Sequence, residues 1–224
     1  MRDLIDLSGP SFGPTGGGKP RHLVILLHGY GADGNDLLGL APHWSRLLPE
    51  TTQFIAPHAP FPCEAAPFGR QWFGFEGRNE SMILAETQTA AALLDSYISA
   101  ELARRDLAEG QVALVGFSQG TMMALHVAPR RSRSLAGVVG YSGSLIAPQL
   151  LAADIRSRPP ILLVHGDADP VVPYPSLGVA RTALQAAGIK VETITRPGLA
   201  HGIDEEGQAR GGAFLAAAFA SPTA

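Results

Sequence analysis

Short, almost wholly apolar runs alternate along the chain with longer stretches in which apolar residues recur every three or four positions. The runs at 22–27 (HLVILL), 53–56, 112–115, 135–141, 161–164 and 190–195 have strand length and are rich in leucine and β-branched residues. Between them, 36–48, 80–105, 118–128, 176–187 and 205–219 carry helical periodicity, with Gly188 placed to stop the fourth helix. This order predicts an α/β fold with a mostly parallel central sheet and helices on both faces, because crossovers between parallel strands lay helices over both surfaces. Residues 4–7 are expected to add an antiparallel edge strand. Residues 9–20, rich in Gly and Pro, read as a surface loop. The segment 142–160 is too short for a cap domain. Ligands of such sheets bind beyond the carboxyl ends of the strands. The loops after Leu27, Val115, Val164 and Thr195 should therefore converge on one site.

The connection 57–79 has no clear period and holds Phe61, Phe68, Trp72, Phe73 and Phe75. Long loops in compact domains are commonly functional, and this one is expected to wall a substrate pocket; the plainer reading is packing against the sheet edge. Composition changes little in this picture. A chain of 224 residues suits one domain, 1–224, and can bury a core without disulfide or metal. The single cysteine, Cys63, allows no internal disulfide. A formal net charge of -3 offers nothing for a polyanion, and the tight basic cluster Arg130, Arg131 and Arg133 reads as a solvated helix end, so no nucleic-acid partner is expected. The first residues lack the apolar core of a signal peptide, and no run approaches the about 18 apolar residues of a membrane span. A cytoplasmic location without stable membrane insertion is the simplest expectation.

Candidate chemistry lies where the strands end. Gly116-Phe117-Ser118-Gln119-Gly120 is G-x-S-x-G between an apolar strand and a helical pattern, the context that lifts a serine hydroxyl out on a sharp turn. Glycine at 116 and 120 removes β-carbons that would clash there. The alternative role for Ser118 is a helix cap. Of the histidines after Ser118, His126 falls within the helix and should point away, and His165 reads as the end of its strand. His201 lies in a glycine-containing loop after a strand and is the expected general base. Its carboxylate partner should be Asp167 or Asp169, both in HGDADPVVP, and residue chemistry alone does not separate them; Asp204 reads as the cap of the closing helix. LLHGYG after the first long strand should present one backbone N–H to an oxyanion, and Gln119 the other.

LLHGYGADGNDL, VGFSQG, HGDADPVVP and PGLAHG occur in this order and together resemble the phospholipase/carboxylesterase family of the α/β-hydrolase superfamily, which includes acyl-protein thioesterases. The resemblance runs from about residue 21 to the carboxyl end. It implies Asp169 as the triad carboxylate with Ser118 and His201, Tyr30 and Gln119 as oxyanion amides, and Trp72 near the substrate pocket, where the loop reading also places Phe73. It also implies hydrolysis of short-to-medium acyl esters, thioesters or lysophospholipids without cofactor or metal, and a homodimer as in several members. The loop PFPCEAAPFGRQWFGFEG departs from the family pattern, which bears on acyl length.

Other readings fare worse. GYGADG matches a dinucleotide fingerprint, but the next strand ends without the acid that would hold a ribose. GPTGGGKP fails as a phosphate loop because Pro20 follows the lysine and a strand follows the loop. Cys63 near His58 lacks a nucleophile's turn and reads as a packing thiol. A non-catalytic binding protein on the same fold is the main alternative from another class.

Overall fold

The computed structural model describes residues 7–220. Its central sheet has seven strands: β1 (Ser11–Phe12), β2 (His22–Leu27), β3 (Thr52–Ile55), β6 (Val112–Phe117), β7 (Gly137–Tyr141), β8 (Ile161–Gly166) and β9 (Val191–Arg196). They lie in the order β1-β3-β2-β6-β7-β8-β9, parallel except for β1, which runs antiparallel to β3. A small antiparallel pair, β4 (Phe61–Pro62) and β5 (Arg70–Gln71), stands apart within the 57–79 connection.

The continuous apolar strands are explained by burial on both faces. Along β2, Leu23, Ile25 and Leu27 join one core cluster while Val24 and Leu26 join the other. The first cluster lies under α3 (Glu80–Arg105), α4 (Gln119–Val127) and α6 (Pro175–Ala186); the second lies under α1 (Gly34–Leu38), α2 (Ala41–Trp44) and α7 (Glu205–Ala220). In α3 the inward residues Thr87, Ala90, Leu94, Ile98 and Leu102 follow helical spacing. Asn79 caps this helix, its side chain accepting from the Met82 amide at 3.0 Å. This is the α/β-hydrolase fold. Among the described residues, β7 and β8 are joined only by irregular chain, a single 3-10 turn and the one-turn α5 (Leu151–Asp154), with no cap domain.

Several expectations are corrected. The helix expected at 36–48 is two short ones, because Gly39 closes the first and Pro42 sits at the start of the second. The antiparallel edge strand is β1, inside the stretch read as loop; it is too short to show a period. The edge strand expected at 4–7 falls largely on residues 4–6, outside the described residues, and Leu7 is not in a strand. Nor is the arginine cluster a solvated helix end: Arg131 is buried and pairs with Asp95, while Arg130 pairs with Asp154 at 2.9 Å. No helix among the described residues is long and apolar enough to cross a membrane.

Candidate active site

The chain leaves β6 at Phe117 and turns at Ser118, whose φ of 54° and ψ of -115° fall outside the regions open to ordinary side chains. Such strain costs about 1–3 kcal/mol and persists only where the surroundings hold it. Here the Tyr141 carbonyl accepts from both the Ser118 amide at 2.9 Å and the Thr121 hydroxyl at 2.8 Å. The flanking glycines are required by contact. A Cβ at 116 would meet the Gly120 carbonyl carbon at 2.4 Å, and one at 120 the Leu27 oxygen at 1.9 Å. The turn thus brings β2 and α4 together backbone to backbone.

The loop after β8 and the loop after β9 are laced to each other. Asp167 accepts from the Gly198 amide at 2.7 Å, and the Ala168 amide donates to Leu199 at 3.2 Å. Asp167 therefore shapes the histidine loop, whereas Asp169 reaches the histidine: its Oδ2 lies 2.8 Å from His201 Nδ1. The Asp169 side chain is fully buried, while His201 is 17% exposed. Burial would raise the Asp169 pKa, but the His201 hydrogen bond and the Val172 and Val171 amides outweigh it and hold the carboxyl below its ordinary range. Since an ionised carboxylate only accepts, His201 carries its proton on Nδ1 and leaves Nε2 free to take another. Its ring packs on Phe117, centroids 4.8 Å apart, next to the serine. Among the described residues, the Ser118 hydroxyl makes no hydrogen bond to the imidazole; such bonds are often loose before substrate arrives. Asp204 caps α7, accepting from Gly207 at 2.8 Å, and pairs with Arg196.

On the other side of the serine, neither the Tyr30 nor the Gln119 amide donates to a protein atom among the described residues. Their placement depends on residues that sequence reasoning missed. His28, wholly buried, has Nδ1 2.8 Å from the Gly29 carbonyl and accepts from the Ala59 amide through Nε2 at 2.9 Å. The carbonyl can only accept, so the proton sits on Nδ1, and burial pushes the His28 pKa down to about 4. The Arg70 backbone ties the 29–32 turn to the 57–79 connection, its carbonyl accepting from the Gly31 amide at 3.0 Å and its amide donating to the Ala32 carbonyl at 2.8 Å. Its side chain braces that connection through the Ala59 and Pro60 carbonyls at 2.8 and 2.9 Å. The Gln119 side chain is a second tie: its Oε1 accepts from the Trp72 amide at 2.8 Å and its Nε2 donates to the Phe73 carbonyl at 2.7 Å. The only signal for these roles was that polar residues stood next to glycine-rich motifs.

Trp72 and Phe73, expected at the substrate pocket, are both fully buried. Trp72 donates from its indole to the His28 carbonyl at 3.1 Å, so the two aromatics sit beneath the 28–31 turn as its support. The aromatics of this connection most open to solvent are Phe68, 96% exposed, and Phe75, 39% exposed and packed on Tyr30 at 5.3 Å.

A strained serine at a strand-to-helix turn, with an Asp–His pair on later loops of the same parallel sheet, is the arrangement of residues that α/β-hydrolases carry. The chain belongs to the phospholipase/carboxylesterase family, which it matches over residues 15–217. It is similar to acyl-protein thioesterase 1 of Neurospora crassa, 30% identical over 195 residues, covering 80% of this chain and 79% of that protein. The crystal structure of esterase PE8 is 39% identical, with a TM-score of 0.89 over 94% of this chain and 98% of that one. Acyl-protein thioesterase 2 of Zea mays is 25% identical, with a TM-score of 0.72 and coverage of 94% and 98%. The protein is a carboxylic ester hydrolase.

Proposed function

We propose that the protein hydrolyses short-to-medium acyl esters, and related thioesters, through a Ser118–His201–Asp169 triad. The observation that carries this reading is the 2.8 Å bond fixing the His201 tautomer, with the imidazole stacked beside the serine's own turn. Ser118 Oγ attacks the acyl carbon as His201 Nε2 takes its proton. The Tyr30 and Gln119 amides receive the oxyanion, where each donor is worth about 10²–10³ in turnover. His201 returns the proton to the departing alcohol or thiol. Water, activated by the same imidazole, then releases the acid and restores Ser118.

The absence of a cap over the described strand ends supports an open site tolerant of small esters. The names of the relatives favour extending the substrate range to thioesters, including acyl-protein thioesters. A fluorophosphonate probe tests the nucleophile: Ser118 of the wild type should be labelled, and Ser118→Ala should lose labelling and ester turnover while keeping its circular dichroism. An unlabelled, folded wild type would favour a binding protein on the same fold. A chain-length series of acyl esters and thioesters, with amides alongside, resolves the substrate class; amide turnover above ester turnover would overturn the reading.

A further inference from the structure

The carboxylate that orients His201 touches a second imidazole. His165, the penultimate residue of β8, is 1% exposed. Its Nε2 lies 2.9 Å from the Val172 carbonyl and 3.3 Å from Asp169 Oδ2, the same oxygen that binds His201. A carbonyl can only accept, so Nε2 carries the proton and directs it between Val172 and the carboxylate. The other carboxylate oxygen, Oδ1, accepts from the Val171 and Val172 amides at 2.8 and 2.9 Å. Both polar groups of the Val172 backbone are therefore engaged, its N–H by Asp169 and its C=O by His165. The turn that carries Asp169 is thus closed twice, by its own carboxylate on the Val171 and Val172 amides and by the His165 imidazole, which bridges the Val172 carbonyl to the other carboxylate oxygen. The ring is held in turn by Tyr174, which packs edge-on at 6.2 Å and whose hydroxyl lies 2.6 Å from Thr195 Oγ1 on the neighbouring strand.

We propose that His165 is a positioning residue for the hydrolysis: its Nε2–H holds the 169–172 turn and the Oδ2 edge of Asp169, and so sets the angle at which the carboxylate meets His201. This inference rests on the triad reading above. A rotation of the carboxylate would leave substrate binding unaffected, because His165 touches no open surface, but would misplace the imidazole. Sub-ångström errors of this kind are felt mainly in the transition state.

The test compares His165→Leu, which keeps the volume and removes the donor, with His165→Gln, whose amide nitrogen has a reach similar to Nε2. Steady-state turnover of a short acyl ester is measured together with the downfield proton resonance of His201 Nδ1–H. His165→Leu is expected to lower kcat by about tenfold or more with KM within about threefold, and to shift or broaden that resonance; His165→Gln should lose less than about tenfold and retain it. A smaller loss in His165→Leu, a change carried by KM, or an equal loss in a folded His165→Gln would overturn the proposal. If His165→Leu does not fold, His165→Gln decides alone by the same threshold. Asp169→Asn separates the two readings. Its collapse with His165→Leu unimpaired refutes only the role of His165, whereas a fully active Asp169→Asn refutes the triad itself.

Discussion

Near the amino end of α4 His28 is buried against Gly120, and at the end of β8 His165 is buried beside Asp169; both have polar partners for the ring. At the carboxyl end of the same helix His126 is 3% exposed, yet its Nδ1 has no hydrogen-bond partner, and nearby Arg131 leaves its Nε unpartnered as well. An orphaned buried polar group costs about 1–3 kcal/mol wherever it lies. The contrast therefore concerns what each end must achieve. In the proposed mechanism, backbone amides and a carboxylate around Ser118 have to stand at fixed positions, and each hydrogen bond removes a freedom that would blur them. Around His126, beside an open cavity of about 470 Å³, no atom has to meet a reacting group, and helix packing alone suffices.

The comparison can be broken by mutation. The largest effect is expected for Asp169→Asn, which reverses the His201 tautomer and should lower kcat by about 10⁴ with the fold unchanged by circular dichroism. Next is Gln119→Ala, which orphans the Trp72 amide and the Phe73 carbonyl and frees the segment bearing the Gln119 amide; kcat/KM should fall by about 10² and the unfolding midpoint should drop. His28→Leu leaves the Ala59 amide without its acceptor and should cost about 1–3 kcal/mol in urea unfolding, with slower turnover. His126→Leu is the smallest change. It removes an orphan, so stability should rise, by about 1 kcal/mol because leucine replaces the imidazole contacts imperfectly, and kcat should stay within about twofold. If His126→Leu were as damaging as His28→Leu, the distinction between the two ends would fail.

Acid sharpens the same contrast. Burial lowers the pKa of both His28 and His126 from 6.5 to about 4. Between these values the unfolded chain binds a proton that the folded chain refuses, so stability is full above 6.5 and is lost as pH falls toward 4. Each histidine contributes a slope of up to about 1.4 kcal/mol per pH unit. In His126→Leu one of these shares should disappear from a plot of unfolding free energy against pH, while activity at neutral pH is unchanged.

Much of the site was legible because its chemistry is local. The strand, glycine, serine, glycine and helix around Ser118 are consecutive, and a backbone turn is determined by neighbours within a few residues. The bounds of α3, Glu80–Arg105, were readable for the same reason, from one uninterrupted period. Residues 118 and 201, and an acid at 167 or 169, could be nominated because each stands in a glycine- or proline-marked loop at a strand end, and a parallel sheet brings such loops together; only the family resemblance pointed to Asp169. The choice between Asp167 and Asp169 was different. Both sit in one turn, two positions apart, and residue type says nothing about which side chain enters the interior; only the packing of β8 against β9 sends one to Gly198 and the other to His201. The same holds for Trp72 and Phe73, whose aromatic character suited a pocket wall or a buried prop equally well, and for His28, His165 and the Gln119 side chain. Their partners lie in other segments of the chain. A pairing across segments exists only once the sheet has brought those segments within hydrogen-bond reach, so it leaves no periodic trace in any one of them.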